Sequence, residues 1–144
     1  MNVGKKIERQ NARSLLAQAI APDAAPLDVA RSVDVAFAHL LVSLGRWVGD
    51  ESARVLLARA VDETRPQRAW LAGIRVTLGE GRCFVGLDER VEALAPTELA
   101  ETMEELLVVL IELLAKFIGN DLALRIVIRG WPSGPPAAKE GESR

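Results

Sequence analysis

The run from Thr97 to Lys116, TELAETMEELLVVLIELLAK, limits what this chain can fold into more than any other stretch. Leu99, Met103, Leu106, Leu110, Leu113 and Phe117 recur at alternating steps of four and three, which sets them on one side of an α-helix. Ala100, Leu107, Ile111, Leu114 and Ile118 form a second row beside the first. A helix with so wide an apolar face must be covered on more than one side, by the rest of the chain or by a second copy of it.

Residues 27–48 carry the same spacing in Val33, Phe37, Leu40, Leu44 and Trp47. Two helices with matching seams are expected to pack against each other at a shallow angle and to form the core. Gly49 ends the first of them and Asp50 caps a following helix, 50–63, whose buried edge is Ala53, Leu57, Ala60 and Val61. Residues 3–20 read as a helix with a thin apolar edge and a basic start, closed by Pro22 and Pro26. Gln67 to Leu71 can open another helix, anchored by Trp70.

Ile74, Val76 and Leu78 then alternate with Arg75 and Thr77 before Gly79-Glu80-Gly81, which predicts a short β-hairpin over residues 74–87. Asp88 to Leu94 reads as a short helix capped by Asp88, and Thr97 as the cap of the long one. Glu98, Glu101, Glu104 and Glu105 suit the positive end of that helix dipole, while Glu112 and Lys116 pair near its other end. After Gly119, residues 121–129 favour a helix capped by Asn120 or Asp121, although Leu122, Leu124, Ile126 and Ile128 also alternate as a strand would. The fold class is therefore mainly α: an antiparallel helical bundle with a possible short hairpin. One helical domain covers 1–131, and a disordered polar, proline-rich tail covers 132–144. No internal repeat is apparent.

Composition narrows the function classes. At 144 residues the chain can bury one sizeable core, and 49% hydrophobic against 26% charged residues is the balance of a folded domain. A net charge of −2 gives no global attraction to nucleic acid or to an anionic membrane. The single cysteine, Cys83, excludes an intramolecular disulfide, and no apolar signal-peptide core follows Met1, so a cytoplasmic location is expected. Abundant Ala, Arg, Val and Leu suit a bacterial origin.

No catalytic constellation is found, and neither a metal site nor a cofactor is expected. One histidine and one cysteine do not make a ligand set, and Gly79, Gly81 and Gly86 match no phosphate-binding loop. His39, the only histidine, is the candidate phosphoacceptor, as in histidine phosphotransfer domains. Leu40 and Leu41 follow it, where such sites carry other residues. Lys5, Lys6, Arg9 and Arg13 are the candidates for a weak nucleic-acid contact.

Val108 and Val109 interrupt the outward face of the long helix between Glu105 and Glu112, and these four residues are the candidate interface. The run FIGNDLALRIVIRGWP, residues 117–132, resembles helical tails of bacterial signalling proteins. The expected function is a non-enzymatic regulatory or signalling module that binds a protein, itself included as a homodimer. Phosphotransfer through His39 and nucleic-acid binding through the basic helix are the alternatives.

Overall fold

A computed structural model describes residues 3–20, 25–77 and 83–132; the expected hairpin tip and the expected tail beyond Pro132 lie outside them. Six α-helices carry the fold: α1 Val3–Ala19, α2 Pro26–Val48, α3 Asp50–Thr64, α4 Leu87–Val91, α5 Pro96–Ile118 and α6 Asn120–Gly130. Two short strands, β1 Arg75–Val76 and β2 Phe84–Val85, pair antiparallel with Arg75 opposite Val85 and Val76 opposite Phe84. The mainly helical class and the short hairpin agree with the sequence pattern, and residues 121–129 are helix rather than strand.

Several local expectations are corrected. Ala69–Gly73 forms a tight 3-10 turn rather than an α-helix. The cap positions of α3, α5 and α6 are Gly49, Ala95 and Gly119, none with a side-chain cap bond, so Asp50, Thr97, Asn120 and Asp121 lie inside their helices. Gly86, in a left-handed conformation, stands where Asp88 was expected to cap α4. Trp47 and Phe117, placed on the seams by their spacing, are 60% and 71% exposed. Both belong to the last turn before a chain reversal, where a helix projects beyond its neighbours.

The larger correction concerns partners. The long helices α2 and α5 meet only over a short stretch; α5 packs mainly against α1, α3 and α6, and α2 against α3, α6 and α4. That exchange of partners is what an approximate two-fold between the two halves produces. The halves are in fact repeats at a constant offset of 70 residues. Both α2 and α5 are 23 residues long, both follow an extended alanine and begin with proline, and both end at a glycine. Gly49 (φ 93°, ψ 148°) and Gly119 (φ 90°, ψ 158°) share a backbone conformation that side-chain-bearing residues essentially never adopt. Each lets one helix turn directly into the next.

The burial pattern repeats with the same offset. Val33, Phe37, Leu40, Leu41 and Leu44 are matched by Met103, Leu107, Leu110, Ile111 and Leu114, all buried. Two buried acids are matched as well, Asp34 with Glu104. Identical residues are sparse: Ala25/Ala95, Pro26/Pro96, Ala30/Ala100, Leu40/Leu110, Leu44/Leu114, Gly49/Gly119, Ala53/Ala123 and Arg59/Arg129. The repeat is one of burial and backbone, not of identity.

Candidate functional site: the open edge of α2

Each half uses its buried acid to hold the segment that precedes the other half's long helix. Glu104 accepts hydrogen bonds from Arg9 Nη1 (3.2 Å) and from Arg13 Nε and Nη2 (3.1 and 3.2 Å), and Glu105 meets Arg9 at 3.6 Å. Asp34 Oδ1 accepts from the backbone N–H groups of Cys83 (2.6 Å) and Phe84 (3.1 Å). The pairs Arg13–Glu104 and Cys83–Asp34 are themselves related by the 70-residue offset.

Two sequence-predicted sites are thereby brought together and close on each other. Arg9 and Arg13, candidates for a nucleic-acid contact, spend their guanidinium groups on Glu104 and Glu105, and the Glu104 carboxylate raises the Arg13 pKa further. Lys5 and Lys6 belong to the same helix, but their side chains lie outside the described residues. Arg9 reaches Glu104 and Glu105 and Arg13 reaches Glu104, so this part of α1 lies against the N-terminal half of α5. Val108 is only 1% exposed, Val109 packs against the core and Glu112 is half-buried. Of the surface expected at Glu105, Val108, Val109 and Glu112, Val108 is buried and the other three are half-buried, with Arg9 of α1 beside Glu105.

On α2 the corresponding positions are more exposed. Of the residues that correspond to the first turns of α1, 73–77 are described, and they hold the end of a 3-10 turn and β1. The α4 helix, five residues against seventeen for α1, does not extend the cover. Val35 and Val42, counterparts of Glu105 and Glu112, are consequently 42% and 60% exposed, and His39 between them is exposed too. At 100° per residue Arg31, Val35, His39, Val42 and Arg46 fall within one narrow stripe of the α2 surface. Helical spacing alone sets His39 on one edge with Ser32, Val35 and Arg46, away from the seam; that Val42 joins this edge was not read from the sequence.

His39 is anchored at its inner side. Its Nδ1 lies 3.0 Å from the carbonyl oxygen of Gly130, the last residue of α6. A carbonyl only accepts, so Nδ1 carries the proton and the neutral ring keeps its lone pair on Nε2. Gly130 is required there by contact: a Cβ would come within 2.7 Å of Ser43. The close approach of α6 to α2 thus delivers the carbonyl to the histidine.

Cys83 lies on the opposite, buried side of this region. Burial, then the Asp34 charge, pushes its thiol well above the ordinary range, so it is held neutral and non-nucleophilic. Among the described residues no cluster of His, Cys, Asp or Glu is disposed to hold a metal, and no helix is long and apolar enough to cross a membrane. No family model matches the chain, and no curated protein or solved structure matches it.

Proposed function

We propose that the protein is a non-enzymatic interaction module that docks a helix of a partner protein on the outer edge of α2. The observation that carries this reading is internal. On α5, which packs against α1, Val108 is buried and Val109 half-buried, whereas Val35, His39 and Val42 on α2 are exposed. A repeat that buries a surface in one copy and leaves it apolar and open in the other has kept a seat for a separate chain. A photo-crosslinking residue at position 42 is expected to yield a discrete protein adduct in cells, and one at position 109 is not.

A second reading is favoured by the geometry of His39. With Nδ1–H donated to Gly130 and the residue exposed, the ring can present Nε2 as a phosphoryl acceptor: Nε2 attacks phosphorus, the donor group leaves, and the proton stays on Nδ1, hydrogen-bonded to the Gly130 carbonyl oxygen. Treatment with phosphoramidate is expected to place acid-labile phosphate on His39 and none on His39→Gln. Equal labelling of the two proteins contradicts this reading.

A further inference from the structure

His39 is held by more than its own helix. The Gly130 carbonyl that receives its Nδ1 proton is one of the final carbonyls of α6, which find no partner within the helix. Trp131 leaves the helical conformation (φ −85°, ψ 137°) and so ends α6 at Gly130. Trp131 is itself fixed from two sides. Its Nε1–H donates to the Leu15 carbonyl of α1 at 2.7 Å, and its buried ring meets Phe37 of α2 edge-on at 5.3 Å. A continuous set of contacts therefore runs from α1 through Trp131 and Gly130 to the imidazole.

The acceptor atom at the end of this set decides which nitrogen can react. A neutral imidazole has two tautomers, and only the one protonated at Nδ1 keeps a lone pair on Nε2. In that tautomer the Nε2 lone pair forms the bond to phosphorus, and the donor leaves with the electron pair of the bond that breaks. The ring becomes cationic while Nδ1 keeps its proton. The Gly130 carbonyl and the negative end of α6 both stabilise that positive charge.

We infer, on the reading of His39 as a phosphoryl acceptor, that Trp131 is a positioning residue for it. Braced on α1, Trp131 holds the Gly130 carbonyl where that carbonyl keeps the His39 proton on Nδ1 and the lone pair on Nε2. Two readouts separate this positioning from the acceptor chemistry. Nitrogen NMR of isotope-labelled histidine, at a pH where the ring is neutral, reports the tautomer of His39, the only histidine. Phosphoramidate labelling reports the rate and the nitrogen that is phosphorylated. Circular dichroism checks that each variant is folded.

The wild type is expected to show the Nδ1–H tautomer and phosphate on Nε2 alone. Trp131→Phe, which gives up the bond to Leu15, should mix the tautomers and slow labelling by about twofold to tenfold, the range that one hydrogen bond spans. Gly130→Ala should do the same, because its Cβ would lie 2.7 Å from both Cβ and Oγ of Ser43 and the carbonyl must withdraw. Ser43→Gly added to Gly130→Ala removes both atoms and should restore tautomer and rate, which a general loss of packing would not do. Wild-type tautomer and rate in both Trp131→Phe and Gly130→Ala overturn the inference and leave the acceptor reading standing. A wild type that takes no phosphate on His39 overturns the acceptor reading, and the inference with it.

Discussion

Replacing Asp34 by alanine is expected to destabilise the protein by about 3–5 kcal/mol, because two buried backbone donors lose their acceptor together, at roughly 1–3 kcal/mol each. Asp34 is fully buried on α2, and its Oδ1 receives the N–H groups of Cys83 and Phe84 where the chain enters β2. Phe84 is itself set edge-on to Phe37, with ring centroids 5.3 Å apart. Domains of this size are stable by only about 5–15 kcal/mol, so such a loss takes a large share of the total. Asp34→Asn keeps an acceptor at Oδ1 and should recover more than half of the loss in urea unfolding. Equal losses for the two variants would show that charge, not acceptance, is what the site needs.

Trp131→Ala is the second large effect, also about 3–5 kcal/mol, the usual range for truncating a buried tryptophan. The ring lies just after α6, packs edge-on against Phe37 at 5.3 Å and 83°, and donates Nε1–H to the Leu15 carbonyl at 2.7 Å. It thus links the end of the second half to α1, which opens the first. Trp131→Phe retains the ring contact and gives up the hydrogen bond, so about 0.5–1.5 kcal/mol is expected for it. Native-state hydrogen exchange should show the loss in Trp131→Ala concentrated in α1. A uniform loss across all helices would mean that Trp131 supports the core generally and does not tie down α1.

The helices were legible because their residues say so locally. The four-three spacing in 27–48 and 97–118, with Pro26 and Pro96 before them and Gly49 and Gly119 after, brings the expected bounds within a residue of the observed ones. Periodicity shows which face of a helix is apolar but not which element covers it. The direct seam between α2 and α5 was therefore misplaced, and the burial of Val108 did not show in the sequence. The two sets of charges that answer each other, Arg9 and Arg13 against Glu104 and Glu105, are some ninety residues apart and could be read only as two separate surfaces.

The repeat escaped for a different reason. Buried positions accept any apolar residue of suitable volume, so Phe37 can stand for Leu107 and Val33 for Met103 without a common letter. What is shared is punctuation, an alanine and a proline followed at a fixed distance by a glycine, and that spacing was present to be noticed. The edge of α2 that carries Val35, His39 and Arg46 was legible from helical spacing, but its contrast with α5 appeared only once the repeat had been seen.

The most direct measurement of the central claim is a photo-crosslinking scan of the full chain in its native cells, with the reactive residue placed in turn at positions 35, 42 and 46 of α2 and at 105, 109 and 112 of α5. The open-edge account predicts intermolecular adducts of one common mass at the α2 positions and only intramolecular links to α1 at the α5 positions. Intermolecular adducts at 105, 109 and 112, with none at 35, 42 and 46, would contradict it.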